Sequence, residues 1–394
     1  MEQAQYDTSA PRVSFAATAS GVYLLSINAL FSNIQPLLLG ALAGAYGLKT
    51  GQLGNFTAAF VGASALSNLS SPLWIERVNW RFTSMAAVIG SALLLVSAST
   101  LTSPALLPVL FAMIGVCNGL ISSPSFASLG QAKNPERAYG AVTTGQSVCV
   151  AAVSAGISNL VIPTFGLSGF LLTLAAIMLT GFLASWFLPA TGSRPKARSG
   201  GAKEANLLSK AAVPAFVSLA GLFLFLFGVF LYYYFIERIG HDRGIPIGVI
   251  GAILSAAALS SLPTSLVVTV WGGRVPAITL LIWGSVVLVA CCLVLALDGL
   301  VPYAGSVLLF GLGYGLTQPS YWAVLRNSDL TNRLFVAAPA ALGAAGVSAS
   351  LCAGPITERY GFAGLETSSA AMTISGAALS WIAVQLHARL NGKV

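Results

Sequence analysis

The chain has 394 residues, of which 56% are hydrophobic and only 8% charged, and its mean hydropathy is +0.84. A soluble chain carries roughly a quarter charged residues to cover its surface, so a water-soluble globule is excluded and lipid is the expected solvent. The formal charge of +8 does not point to nucleic acid, because the 19 Lys and Arg are scattered through apolar sequence without a basic stripe.

The first dozen residues carry Glu2, Asp7 and Arg12 and lack the short apolar core and cleavage pattern of a signal peptide, so an uncleaved tail is expected. About 20 apolar residues take a helix across the hydrocarbon layer. Windows of that kind predict six spans over 14–42, 52–73, 82–99, 105–128, 138–162 and 167–189. A polar stretch follows at 190–210, holding Arg194, Lys196, Arg198 and Lys203 among Ser and Gly, and reads as a linker. Six more spans are predicted over 211–236, 247–269, 277–296, 301–325, 334–355 and 367–386. The expected architecture is therefore all-α, with an N-terminal six-helix bundle (1–189) and a C-terminal one (211–394). Cys117, Cys149, Cys291, Cys292 and Cys352 all lie in apolar runs without ligand spacing, so they read as packing residues, and neither a metal nor a cofactor is expected.

Charge sets the orientation, since Lys and Arg are retained on the cytoplasmic side of short loops. With the N-terminus inside, fifteen basic residues fall inside and only Lys49, Arg238, Arg243 and Arg359 outside. An odd number of spans would scramble that asymmetry, so twelve spans with both termini cytoplasmic are expected. The halves also match each other. A shift of 195 lays Pro124-Ser125-Phe126 on Pro319-Ser320-Tyr321 and Phe165-Gly166 with Gly169 on Tyr360-Gly361 with Gly364. Gly115 and Gly119 meet Gly311 and Gly315 after a one-residue slip. The repeat is parallel.

Six plus six spans, a basic central loop and a parallel repeat resemble the major facilitator superfamily of transporters. The resemblance extends to the loop between spans 2 and 3, where the family reads roughly G-x-x-x-D-R-x-G-R-R. Here Glu76, Arg77 and Arg81 match the acid and two bases, while Pro72 and Asn79 replace the glycines. Between spans 8 and 9 only Gly272-Gly273-Arg274 remains. The resemblance implies that Glu76, Arg77 and Arg81 latch a cytoplasmic gate when the cavity faces outward; as ordinary interface charges they would only set topology. It also implies a multi-pass monomer of the plasma membrane, the inner membrane in a bacterium, with no nucleic acid as partner.

The resemblance places the solute cavity among spans 1, 4, 7 and 10. Span 1 carries Asn28, Ser32 and Gln35 at helical spacing, with Asn33 beside them and Pro36 able to loosen the helix. Span 4 carries Asn118, Ser122 and Ser125, and span 10 carries Tyr314, Gln318 and Tyr321 with Trp322 adjacent. Span 7 instead carries the aromatic stripe Phe223, Phe227, Phe230 and Tyr234. These residues are candidates to bind solute, against the alternative that buried amides only tie helices together. Trp74, Trp80, Trp186 and Trp271 read as an interfacial belt.

No Asp, Glu, Lys or Arg falls inside the predicted hydrocarbon core, where such residues are retained mainly for function. The nearest are Glu237 and Arg238 at the outer end of span 7, followed by His241, Asp242 and Arg243. These either couple transport to protons or form a solvated loop cluster. A neutral, amphipathic or aromatic solute is expected, or an organic anion held by hydrogen bonds and helix ends. A proton-coupled polyspecific efflux pump and a non-transporting receptor or scaffold are the rival readings. Catalysis is not expected, because His241 and His387 are the only histidines and no carboxylates cluster.

Overall fold

The computed structural model describes residues 14–132, 135–190, 212–271, 274–329, 334 and 338–390. The expected tail, the linker beyond Ala190, Lys133, Gly272, Gly273 and Arg333 lie outside the described residues. Every element is helical among those described. In the N-terminal half these are α1 (Phe15–Asn33), α2 (Gln35–Tyr46), α3 (Thr50–Trp74), α4 (Trp80–Ser99), α5 (Leu107–Gly130), α6 (Pro135–Gly156) and α7 (Ile162–Ser185), with a π-turn at Ile157–Val161. The C-terminal half holds α8 (Val213–Tyr233), α9 (Ile236–Asp242), α10 (Ile247–Trp271), α11 (Ala277–Leu295), α12 (Leu300–Ser328) and α13 (Ala338–Leu390).

Local chemistry accounts for the main breaks. Ser14 caps α1 by accepting from the Ala17 amide at 3.2 Å, and Asn79 caps α4 by accepting from Phe82 at 3.2 Å. The first predicted span divides at Ile34 (φ −103, ψ 12). Pro36 has no N–H for the Ser32 carbonyl and crowds it, so the ladder opens one turn before the proline.

Nine helical runs among the described residues are long and apolar enough to cross a membrane. Two of them, Ala141–Ser185 and Ala340–Leu390, have 45 and 51 residues, about twice the length one crossing needs. Each turns at a glycine with positive φ, Gly166 (φ 58, ψ −149) and Gly361 (φ 65, ψ −167), a conformation that side chains with a Cβ rarely adopt. These two glycines are partners in the 195-residue repeat. The second turn falls between the predicted eleventh and twelfth spans, 334–355 and 367–386.

The repeat holds in packing as well. Gly115 and Gly119 of α5 lie against Phe60 and Ser67 of α3, while Gly311 and Gly315 of α12 lie against Ala257 and Ser261 of α10. Both pairs thus bring equivalent helices together within one half, where small residues let backbones approach closely. They do not lie between the halves.

The halves meet along three seams at the end that carries the 47–49 and 243–246 turns. There α2 crosses α9, and the backbones of Gly51 and Gly354, and of Gly54 and Ser350, pack α3 against α13. Gly248 and Gly251 of α10 lie on Asn159 and Ser158 of the π-turn. The α3–α13 contact runs as far as Ala65 and Gly343, after which α3 leaves Leu66, Leu69 and Leu73 exposed.

Candidate functional site

Asn28, Asn118 and Ser122, predicted on spans 1 and 4, are drawn into one network inside the N-terminal half, and Gln35 is bonded separately. Asn28 Nδ2 donates to the Asn118 carbonyl at 3.0 Å and Asn118 Nδ2 returns the bond to the Asn28 carbonyl at 3.1 Å. Ser64 of α3 donates to Asn118 Oδ1 at 2.7 Å, and Ser122 and Ser123 both donate to Asn68 Oδ1, at 2.8 and 3.0 Å. Thr57 donates to Gln35 Oε1 at 2.9 Å. Thr57, Ser64 and Asn68 lie outside the predicted cavity spans, and their only sequence signal is the 57, 64, 68 spacing that places them along one face of α3. Asn28, Gln35, Asn118 and Ser122 therefore tie α1, α2, α3 and α5 together, a use of amides and hydroxyls common in membrane helices.

A second layer sits where the two halves approach. The break before Pro36 frees carbonyls of span 1, and the Tyr233 hydroxyl from α8 donates to the Asn33 carbonyl across the seam. Tyr233 and Tyr314 both lie nearly parallel to Phe310, with centroids 5.4 and 5.8 Å away, and Phe230 stacks on Tyr234 at 5.0 Å. The Tyr234 hydroxyl faces Gly346 of α13 beside Val61 of α3. The side chains of Ser32, Tyr234, Tyr314 and Gln318 make no hydrogen bond to another described residue; Tyr314 accepts only through its carbonyl, from Thr317. Ser32, Tyr314, Gln318 and Trp322 are half-buried. This layer offers aromatic faces and unspent hydrogen-bonding groups together, the mix that small organic ligands use.

Tyr321 lies elsewhere. It is fully buried, stacked on Phe225 at 4.2 Å with its hydroxyl against Gly376 of α13, inside the C-terminal half instead of on the face it shares in sequence with Tyr314 and Gln318. At the opposite end from the seams, Glu76 and Arg77 are exposed, and Arg81 donates to the Leu188 carbonyl at 3.2 Å with its guanidinium 5.7 Å from the Trp186 ring. Trp80 departs from the expected belt: it is buried, and its indole donates to the Ile75 carbonyl at 2.8 Å, stapling the α3–α4 turn.

The reading of Glu237 as part of a solvated cluster is overturned. It is 2% exposed, its Oε2 has no hydrogen-bond partner among the described residues, and its carboxyl rests on Gly40 of α2, where a Cβ would overlap it. Arg238 is half-buried and Asp242 exposed. Arg243 pairs with buried Glu366 at 3.4 Å and donates to the Leu295 and Leu297 carbonyls at 2.6 and 3.0 Å. That pair sits at the ends of α9 and α11, not at mid-depth.

Among the described residues no group of three or more His, Cys, Asp or Glu is placed to hold a metal ion. A groove of about 500 Å³ runs along the α10 side of the π-turn, lined by Asn159, Pro246, Val249, Ile253 and Leu308 among others. None of the layer residues lines it and its walls are almost wholly apolar, so it is a groove for hydrocarbon more than for a polar solute.

A family model described as Major Facilitator Superfamily matches residues 21–329. A search of curated proteins finds no match. Among solved structures, the nucleoside transporter NupG superposes with a TM-score of 0.70 at 14% identity, covering 95% of this chain and 100% of that one. A bacterial homologue of the human lysosomal transporter Spinster, in an inward-facing and unoccupied conformation, superposes with a TM-score of 0.68 at 15% identity, covering 95% and 96%.

Proposed function

The chain belongs to the Major Facilitator Superfamily of transporters, and on that footing we propose that it moves a small neutral, amphipathic or aromatic organic solute by alternating access. The observation that carries this reading is the layer at the seam, where Ser32, Tyr234, Tyr314 and Gln318 keep unspent polar groups beside stacked rings. Twelve crossings follow if each of the two long runs is two spans and α3, too rich in Ser, Thr and Asn to count by hydropathy alone, is one. Counting charges as above then puts both termini in the cytoplasm and the sealed end outside, so the conformation is inward-facing.

Rocking the halves about the layer would part the α2–α9 and α3–α13 seams and bring the ends bearing Glu76, Arg77 and Arg81 together. The missing fixed charge in the layer favours a neutral solute over a strongly charged one. Thermal stabilisation of the purified protein against a panel of nucleosides, other small aromatics, sugars and carboxylates tests the substrate class, because a ligand of the folded state raises apparent stability. The expected hit is a neutral aromatic solute whose shift is lost in Gln318→Ala and which enters proteoliposomes. A hit restricted to charged solutes, or binding without flux, overturns the reading.

A further inference from the structure

We propose that Glu237 and Gly40 form a proton-operated latch on the outer seam, closing it when the carboxyl is neutral and releasing it when the carboxyl is ionised. The proposal rests on the transport reading only for which side is outside. Its basis is a juxtaposition: the outer segments of the first span of each half, α2 and α9, cross where α2 has no side chain, and the space is filled by a carboxyl group. Glu237 is 2% exposed and its Oε2 finds no donor among the described residues, while Tyr233 makes the neighbouring tie to Asn33.

The surroundings decide what such a carboxyl can do. From α2 no charged residue faces it, and α10 contributes none among its described side chains. From α12 the facing titratable group is Tyr303, whose hydroxyl donates to the Ile236 carbonyl at 3.1 Å. On its own helix Arg238 is the nearest cation but lies outside ion-pair distance; the described ion pair is Arg243 with Glu366, beside Asp298. His241 and Asp242 point to solvent. An ionised carboxylate needs water or a countercharge, and the closed seam supplies neither, whereas a neutral carboxyl can rest against the bare α2 backbone. Parting α2 from α9 admits outer water. The step is a single proton transfer: a hydronium ion of that water breaks one of its O–H bonds, gives the proton to one carboxylate oxygen and leaves as neutral water, with no other covalent change.

In the sealed state the carboxyl is closed off from bulk water, so the latch biases the gate without carrying its proton to the other side. One titrating group shifts the ratio of open to closed states by at most about tenfold per pH unit.

The test uses spin labels just before α5 and on the outer end of α12, at Ala105→Cys and Val301→Cys, in a background lacking the native cysteines, with the protein in nanodiscs titrated from acid to alkaline buffer. The expected result is a short inter-label distance in acid and a growing long-distance population in alkali. Glu237→Gln is expected to hold the short distance throughout, Gly40→Ala to favour the long one, and His241→Asn to behave as the parent. A parent distribution that ignores pH, a response that survives Glu237→Gln, or one that vanishes in His241→Asn overturns the latch. If Glu237→Gln fails to fold, Glu237→Asp decides, since the shorter acid must move the midpoint or the amplitude of the response. No solute is needed, so a pH response without flux defeats the transport reading alone, and flux without a pH response defeats the latch alone.

Discussion

Arg243 has three partners: two carbonyls at the end of α11 and the buried Glu366 carboxylate. Removing one member of a buried pair leaves the other charge uncompensated, so Arg243→Ala is expected to cost about 3 kcal/mol of stability, read as a lowered melting temperature in detergent, with Glu366→Gln costing less. The predicted solute residues divide in the same terms. Asn118 exchanges bonds with Asn28 and accepts from Ser64, so Asn118→Ala is expected to lower stability by about 1 kcal/mol. Gln318 has no bond to lose within the described protein, so Gln318→Ala is expected to leave melting unchanged and weaken solute binding by about five- to tenfold. Equal effects of the two substitutions on melting would contradict the division. Both amides were visible in the sequence as polar residues on apolar helices; which was already committed depended on α3, whose Ser64 and Asn68 come from a different part of the chain.

At the scale of elements, proline and glycine did most of the punctuation. Pro36 was legible as a weak point, and the α1–α2 break follows from it because the proline removes a donor at a known offset. Gly166 and Gly361 were legible as a repeated pair, and their shared positive φ explains why each repeat turns there. The α8–α9 break at Phe235 carries no such marker. The seams were not legible either, since they use the same small residues as the contacts inside each half. Gly54 of α3 lies so close to the Ser350 carbonyl of α13 that no side chain fits while the seam is shut. Gly54→Val is therefore expected to shift the protein toward the state open at that end, seen as a longer distance between labels on α5 and α12. An unchanged distance would mean that the backbones yield instead.

For the whole molecule, the proposed reading is that two equivalent bundles sealed at one end form a device with two exclusive arrangements, which would expose a solute held between them to one side at a time. With no charged group among the described residues of the layer and a latch buried when closed, we propose that the transport step needs no proton carrier. Initial uptake of the identified solute into proteoliposomes is thus expected to be insensitive to a protonophore. Concentrative uptake that a protonophore abolishes would instead support the proton-coupled efflux alternative.

The sequence by itself determined the solvent, the helical class, the repeat and the family resemblance, because each rests on composition, period or spacing along one chain. It also marked the polar and aromatic residues worth attention. Only the tertiary structure decided what they do. Asn118 is bonded while the Gln318 side chain has no partner among the described residues, Tyr321 turns inward while Tyr314 stacks on Phe310, and Glu237 is buried. Those outcomes depend on which distant helix comes to lie opposite, and burial and hydrogen bonding are properties of that pairing, not of the residue.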